Sequence, residues 1–279
     1  MGWSDAYNKS LILDCILKIL SLIHQLIMFD SKVTLRFKEG SSGFTYLQRC
    51  GFFDCLDENV IVIPPIPTES LSMVHHGNSG NLFEIFAINK DYRQSFLTHM
   101  MNIIQERMSG EHSKRLLINI TTLISELVDN VNQHGFSAID GYVALQVYKG
   151  NKIVISVSDS GSGLIKSLRE EALPRYPDLE RLNENSRIND SKLIGYVLSK
   201  GGISRKNEQG RGLGLYASNG ALQKISNHDK TTVQLAIRQD NYEFIYPFNL
   251  NNISIDNCII QENLTYIRGT HYVITINIA

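Results

Sequence analysis

Ser125–Gly135 reads SELVDNVNQHG and closes a long helix that the sequence predicts over residues 112–134. The apolar residues of this helix recur every three or four positions, which is the period of one buried helix face. Glu126 and Asn130 lie four residues apart on the opposite, polar stripe, so they are neighbours on the helix surface. The pair is either part of a solvated face or a carboxylate base beside an amide oxygen that could coordinate Mg²⁺.

A second motif follows the predicted strand Lys152–Ser158 and reads DSGSG over Asp159–Gly163. Asp and Gly are frequent in turns, so one interpretation is an ordinary turn. The other is a base-binding loop, because a carboxylate at a strand end can accept a hydrogen bond from an exocyclic amine such as adenine N6. The carbonyl of guanine would be repelled there, and the glycines would let the backbone approach a flat base closely.

A third motif reads GRGLGL over Gly210–Leu215 and precedes a helix that is predicted to start near Leu213. Backbone N–H groups at a glycine-rich helix start favour phosphate binding. Leu215 stands where the dinucleotide-binding fingerprint requires its last glycine. The sequence also contains neither a P-loop motif nor the signature set of protein kinases.

Together, and in this order, the motifs resemble those of the GHKL superfamily, whose Bergerat fold binds ATP. Glu126–Asn130 resembles the N-box, Asp159–Gly163 the first glycine box, and Gly210–Leu215 the second. Gly269-Thr270, before the last strand, resembles the Gly-Thr pair that closes the adenine pocket. The resemblance covers about residues 82–279. The Glu at the head of the N-box and the His-Gly after it are closest in style to the anti-sigma-factor serine kinases.

The resemblance implies an α+β fold, a Bergerat-type α/β sandwich with a mixed, mostly antiparallel sheet and helices on one face. Helices that cluster before and between runs of antiparallel strands favour the same class. We expect an N-terminal α/β region over residues 1–63, a proline-rich linker over 64–81, and an ATP-binding domain over 82–279. Residues 164–209 would then form the ATP lid.

The resemblance also implies roles for individual residues, with ATP and Mg²⁺ as cofactors. Asn130 would ligate Mg²⁺, and Glu126 would orient or deprotonate the attacking group. Asp159 would bind adenine N6, with Thr270 in the same network through water. The residues expected to line the nucleotide are Gly161, Gly163, Gly210, Arg211, Gly212, Leu213 and Gly214.

Two basic positions leave alternatives open. Arg205, or Lys206 beside it, either approaches the terminal phosphate or belongs to a solvated basic turn. His134 either reaches a phosphate or caps the end of its helix, where a histidine is favourable.

Composition limits the classes of function. Lys and Arg number 27 against 28 for Asp and Glu, a net charge of −1, which argues against a nucleic-acid binder that works by bulk electrostatics. The four cysteines form no CxxC pair and fit reduced thiols in a cytoplasm. Residues 11–28 are rich in Leu and Ile, but their polar residues form one stripe, which predicts an amphipathic helix and no membrane span. That stripe consists of Asp14, Lys18, Ser21 and Gln25.

The N-terminal residues 1–63 carry a weaker pattern. A strand at Lys32–Phe37, a Gly/Ser turn, a helix over 43–56 and a strand at Val60–Ile63 resemble part of a STAS-like domain. The alternative is a helical extension that packs on the ATP-binding domain.

The leading interpretation is a cytoplasmic ATP-binding regulatory protein, with slow Mg²⁺-dependent ATP hydrolysis coupled to lid closure and control of a protein partner. One alternative is a serine/threonine protein kinase that acts on a STAS-like partner. Another is a non-catalytic ATP sensor. The sequence does not name the partner, and it leaves a homodimer open.

Overall fold

The computed structural model describes residues 13–66, 82–88, 95–107, 111–134, 137–148, 151–200, 214–227, 231–249, 252–253 and 257–278. Within these ranges an antiparallel sheet is covered by helices, which confirms the predicted α+β fold of the Bergerat type. Among the described helices, none combines the length and the hydrophobicity that crossing a membrane requires.

The described elements follow one another in an α/β unit and then a larger α+β unit. The helices are α1 (Leu13–Met28), α2 (Ser42–Arg49), α3 (Ser95–Arg107), α4 (Glu111–His134), α5 (Leu164–Ser167), α6 (Arg187–Lys200) and α7 (Gly214–Ser226). The strands are β1 (Thr34–Arg36), β2 (Ile61–Ile63), β3 (Leu82–Ile88), β4 (Gly141–Tyr148), β5 (Lys152–Ser158), β6 (Thr231–Asp240), β7 (Tyr242–Asn249), β8 (Asn252–Ile253), β9 (Ile259–Gln261) and β10 (Ile267–Ile278).

The main sheet has the order β3-β4-β5-β10-β6-β7-β8, with β9 also paired to β7, and its recorded pairs are antiparallel. The strands β1 and β2 form a separate parallel pair. In the main sheet β5 is central, and its last residue, Ser158, is paired with Tyr142 of β4 and with His271 of β10. The loop after Ser158 therefore leaves the middle of the sheet, beside the start of β10.

The larger core lies on the face of the sheet covered by α3, α4, α6 and α7. Alternate residues of the strands point to it, as the two-residue period of a strand requires; examples are Ile153, Ile155 and Val157 of β5. The predicted apolar face of α4 is buried there, with Ile120 and Leu123 fully enclosed. Burial of such a side chain contributes about 1.5–3 kcal/mol, so this face fixes α4 firmly on the sheet.

Helix α1 covers the opposite face of the sheet, against β4, β5 and β10. Its polar stripe is turned towards the protein, because Ser21 is fully buried and Gln25 is only 6% exposed. Lys18, on the same stripe, forms an ion pair with Glu243 of β7 at 3.1 Å. The helix is amphipathic as predicted, but part of its polar stripe contacts the sheet instead of the solvent.

Residues 13–63 share a hydrophobic core with the sheet. Fully buried side chains of α1, such as Leu17 and Leu20, belong to one cluster with Leu82 of β3 and Ala144 of β4. The predicted boundary between an N-terminal region and an ATP-binding domain is therefore crossed by apolar packing. Most of the predicted linker, residues 67–81, lies outside the described residues.

The described part of the predicted lid, residues 164–200, is helical and packs into the larger core. Leu193 and Ile194 of α6 are buried among the strands and helices of that core. Arg169 is bound to the buried carboxylate of Asp190 at 2.7 Å, which holds the π-helical turn Leu168–Ala172 against α6. The role of this segment as a lid stays a prediction, and residues 201–209 lie outside the described residues.

We predict that His271 makes the folded state sensitive to acid. Burial, and after it the positive charge of Lys18, lowers the pKa of His271 from 6.5 to about 3. Between about pH 6.5 and pH 3, His271 therefore binds a proton in the unfolded state but not in the folded state. The stability contributed by the neutral ring is complete above about pH 6.5 and is lost as the pH falls towards 3. At pH 5.5 the loss is about 1 kcal/mol.

Urea unfolding of the unmodified protein and of His271→Gln, each at pH 7.5 and 5.5, measures this contribution. We expect the variant to lose about 1 kcal/mol less between the two pH values, because glutamine does not titrate. An equal loss in both proteins would contradict the prediction.

Candidate functional site

Helix α4 presents the predicted pair Glu126 and Asn130 at the margin of the larger core. Both side chains are partly exposed, whereas Leu127 and Val128 between them are buried. Burial, and after it the charge of Asp129, raises the pKa of Glu126 above the ordinary value of a glutamate. A carboxylate with a raised pKa is a better proton acceptor than one in open water.

Asn130 carries a buried amide nitrogen that has no hydrogen-bond partner in the described part of the chain. A buried polar atom without a partner is costly, and in a native protein it often marks a place where a ligand or a water completes the site. Rotation of the amide exchanges its nitrogen and oxygen ends. Asn130 could therefore offer either a donor or an acceptor at this position.

A close approach at Gly141 brings α4 to the end of the central strand. A Cβ atom on Gly141 would lie 2.3 Å from Val131 Cγ1 and 3.1 Å from the carbonyl oxygen of Ser158. Only glycine leaves room for this crossing. Because Val131 follows Asn130 and Ser158 precedes Asp159, the N-box turn and the first glycine box lie near each other. Gly141 was not predicted, because it carries no sequence signal beyond its place at the start of a strand.

Asp159 is fixed by its own loop and by β10. Its Oδ1 atom accepts a hydrogen bond from the Gly161 N–H group at 2.7 Å. Its backbone N–H group donates to the carbonyl oxygen of Thr270 at 3.0 Å. The predicted Asp-x-Gly motif and the predicted Gly-Thr pair, more than a hundred residues apart in the sequence, thus meet at one end of the β5–β10 pair.

Thr270 is buried and holds the segment that follows the glycine box. Its Oγ1 atom accepts hydrogen bonds from the Leu164 N–H group and from Gln239 Nε2, each at 3.0 Å. The Oε1 atom of the same Gln239 accepts from the Ile165 N–H group at 3.0 Å. Thr270 and Gln239 together therefore cap the first N–H groups of α5. Gln239 was not predicted, because a glutamine in an alternating strand is usually solvated.

Each glycine of the first glycine box has a different local feature that accounts for its position. Gly163 has a φ of +87°, which other residues adopt only with strain, and it precedes α5. Gly161 is buried, and its carbonyl oxygen accepts a hydrogen bond from Arg268 Nε at 3.1 Å. Both predicted residues lie in the Asp159 loop.

Several predicted residues cannot be placed in this geometry. Arg205, Lys206, Gly210, Arg211, Gly212 and Leu213 lie outside the described residues. Gly214 is the first residue of α7, which packs beside α4. His134 is the last residue of α4, and its side chain is outside the described part of the structure. The roles of these residues stay predictions.

Asn130 offers one amide oxygen, which is compatible with a magnesium ion that is held mainly by phosphate oxygens. Mg²⁺ is usually bound through one or two protein side chains, substrate phosphates and water. Among the described residues, no group of three or more His, Cys, Asp or Glu could form a cage for a metal ion. The unpartnered atom of Asn130 is its amide nitrogen, a donor that suits a phosphate oxygen, whereas only the amide oxygen could bind Mg²⁺.

Residues 117–248 match the protein-family model described as "Histidine kinase-, DNA gyrase B-, and HSP90-like ATPase". The matched range includes the N-box residues, the Asp159 loop and the second glycine box, and it ends before Gly269-Thr270. Searches of curated proteins and of solved structures gave no match. The likeness to the anti-sigma-factor kinases therefore stays a prediction.

We predict that Gly269 is required for the position of Asp159. Gly269 has a φ of +98°, and a Cβ atom there would lie 2.0 Å from the Asp159 carbonyl oxygen. Gly269→Ala should lower the free energy of unfolding by about 3–5 kcal/mol, because backbone strain adds to the overlap with Asp159.

Gly40→Ala is the matched control. Gly40 also has a positive φ, of +68°, but nothing lies within 4 Å of an added Cβ. This variant should lose only the strain contribution, about 1 kcal/mol. Urea unfolding measures both, and equal losses would show that the close approach to Asp159 contributes nothing.

Proposed function

We propose that this chain, in which residues 117–248 form a GHKL-type ATPase domain, binds Mg²⁺-ATP and hydrolyses it slowly to control a protein partner. The observation that carries the proposal is the junction of the Asp159 loop with Gly269-Thr270. It fixes a carboxylate at the end of the central strand, beside the helix that bears Glu126 and Asn130.

Asp159 would recognise adenine. One of its oxygens is oriented by the Gly161 N–H group, so the carboxylate is held in one rotamer before a ligand arrives. A fixed carboxylate favours the N6 amine of adenine and disfavours the guanine carbonyl, because both oxygens of an ionised carboxylate are acceptors only. Thr270 supports this geometry from the neighbouring strand.

Asn130 would hold the metal and the phosphates. When bound, Mg²⁺ neutralises charge on the phosphate oxygens. The part assigned to this chain is one amide ligand, positioned by the buried apolar face of α4. The buried amide nitrogen of Asn130, which has no partner among the described residues, would donate to a phosphate oxygen, and the amide oxygen would face the metal.

Glu126 would act as the general base for the attack of water on the terminal phosphate. It would accept the proton that the water loses as its oxygen bonds to phosphorus and the bond to the leaving ADP oxygen breaks. Its raised pKa supports this role, since burial and Asp129 make it more basic than an exposed glutamate. Phosphate transfer to a protein and ATP sensing without turnover would use the same pocket. Incubation with γ-labelled ATP separates them by whether the label goes to water, to a protein or nowhere.

We predict that Asp159→Asn weakens ATP binding. Asparagine keeps the acceptor for Gly161 N–H but lacks the negative charge that strengthens the hydrogen bond to N6. The loss should be about 1.5–3 kcal/mol, or about tenfold to a hundredfold in Kd. Isothermal titration calorimetry with ATP and with GTP measures it, and the preference for ATP should fall as well.

Asp178→Asn is the control for charge alone, because Asp178 is exposed on the 3-10 turn Pro177–Leu182. It should bind ATP like the unmodified protein. Unchanged ATP affinity in Asp159→Asn would mean that the adenine pocket is elsewhere.

We predict that Glu126→Gln lowers the rate of ATP hydrolysis by about 10²–10⁴-fold with little change in the Kd for ATP. Glutamine has the shape of glutamate but accepts no proton. Release of inorganic phosphate and calorimetry measure the two quantities. A parallel loss of binding would assign Glu126 to nucleotide binding instead of to the chemical step.

The pH dependence of hydrolysis tests the same role. Glu126 must be ionised to act as a base, so the rate should fall on the acid side at a pH above the ordinary pKa of glutamate. Asp129→Asn removes a negative charge that raises the pKa of Glu126. We therefore expect this variant to shift the acid limb of the kcat profile to lower pH. If the acid limb of the kcat profile lies at the same pH in Asp129→Asn and in the unmodified protein, Glu126 is excluded as the titrating group.

A further inference from the structure

Gln25 of α1 contacts the candidate nucleotide loop from the far side of the sheet. Its Nε2 atom donates to Ser160 Oγ at 3.1 Å and to the Arg268 carbonyl oxygen at 2.9 Å. Its Oε1 atom accepts from the Arg268 N–H group at 2.9 Å. Gln25 and Ser160 are 6% and 1% exposed, so these hydrogen bonds form away from bulk water.

The Gln25 carboxamide fills a gap in the pairing of β10. The register between β10 and β6 shifts between Ile267 and Thr270, and the pairing of β10 with β5 begins at His271. Arg268 lies in this irregular stretch, so its N–H and carbonyl groups have no partner in the recorded strand registers. The side chain of Gln25 supplies both partners, as a neighbouring strand would.

Arg268 connects Gln25 to the loop that bears Asp159. Its Nε atom donates to the Gly161 carbonyl oxygen at 3.1 Å, while the Gly161 N–H group donates to Asp159 Oδ1 at 2.7 Å. Gly269, the next residue, lies so close to Asp159 that a Cβ atom would overlap its carbonyl group. Little room is left for Arg268 to move without moving Asp159.

Gln25 itself is held firmly by the helix to which it belongs. Leu17 and Leu20 of α1 are fully buried. The neighbouring His24 forms a hydrogen bond through Nε2 with the Cys55 carbonyl oxygen at 2.9 Å, which holds the end of α1 against the 3-10 turn Phe53–Cys55. The Gln25 amide is therefore held in place by the packing of its helix and is not a mobile surface group.

We propose that Gln25 is a positioning residue for nucleotide recognition, which makes α1 a structural part of the nucleotide site although it lies outside the matched family range 117–248. The inference rests on the proposed function for its effect on ATP. Its effect on the loop does not depend on that function. Gln25 acts through Ser160, Arg268 and Gly161, and it sets the orientation of the Asp159 carboxylate.

Gln25→Met tests the proposal, because methionine fills a similar volume and makes none of the three hydrogen bonds. Ser21→Ala is the matched control. Ser21 is one turn earlier on the same stripe and is fully buried, but its hydroxyl has no hydrogen-bond partner in the described residues. Circular dichroism during thermal unfolding checks that both variants are folded.

Hydrogen–deuterium exchange without nucleotide is the first measurement. In Gln25→Met the peptides that cover residues 159–163 and 266–270 should exchange about tenfold faster than in the unmodified protein, since the loss of these hydrogen bonds favours local opening. In Ser21→Ala they should exchange as in the unmodified protein. If these peptides exchange at the same rate in Gln25→Met and in Ser21→Ala, the proposal is overturned.

Nucleotide binding is the second measurement. We expect Gln25→Met to bind ATP about tenfold more weakly and to lose much of its preference for ATP over GTP, because the base-reading carboxylate is no longer oriented. KM should rise with a smaller change in kcat, since Glu126 and Asn130 lie on another helix. An unchanged ATP preference with weakened folding would assign Gln25 a purely structural role and overturn the proposal.

A second variant and a separate control keep the outcomes distinct. If Gln25→Met does not fold, Ser160→Ala removes only the Gln25–Ser160 hydrogen bond. It should speed exchange in residues 159–163 by about threefold, and unchanged exchange would overturn the proposal. If the unmodified protein binds no ATP, the proposed function fails, while the exchange measurement still decides whether Gln25 positions the loop.

Discussion

The site depends on one hydrogen bond between strands, from the Asp159 N–H group to the Thr270 carbonyl oxygen. It continues the antiparallel pairing of β5 with β10 by one step beyond Ser158 and His271. Because these strands are the middle of the sheet, their ends are held by packing on both faces. The Asp159 loop is therefore built on two inner strands of the sheet, and a group on such elements is well oriented before its ligand binds.

Burial of the sheet on both faces gives the two sides different roles. The face towards α4 and α7 is apolar and carries most of the core. The face towards α1 includes polar side chains such as Ser156, Ser158 and His271, all nearly or fully buried. Small serine side chains let α1 approach, and polar contacts such as those of Gln25 fix its register. The hydrogen bonds of Gln25 are directional contacts, which apolar packing alone does not provide, whereas the side chains of Ser156, Ser158 and His271 have no hydrogen-bond partner in the described residues.

In the proposed function, the electrostatics of the site separate base recognition from hydrolysis. The Gly161 N–H group orients the Asp159 carboxylate, an arrangement suited to the proposed recognition of a base. Glu126 lies on a helix beside a second carboxylate, Asp129, and is partly buried, so its charged form is disfavoured and its basicity is increased. Two carboxylates on different elements thus have different environments, as the proposed separation of base recognition from hydrolysis requires.

The sequence by itself determined the elements and motifs that local patterns encode. The apolar period of α4 fixed its extent, alternation fixed Lys152–Ser158, and glycine spacing marked the Asp159 loop. The local patterns did not reveal α6, because its periodicity is weak, and they did not orient the polar stripe of α1. Only the tertiary structure decided the contacts of Gly141, Gln239 and Gln25, since each depends on a partner far away in the sequence. A glycine that allows two elements to cross closely, or an amide that pairs with a strand edge, follows no periodic pattern in the sequence. Such a residue is required by the shape of another element.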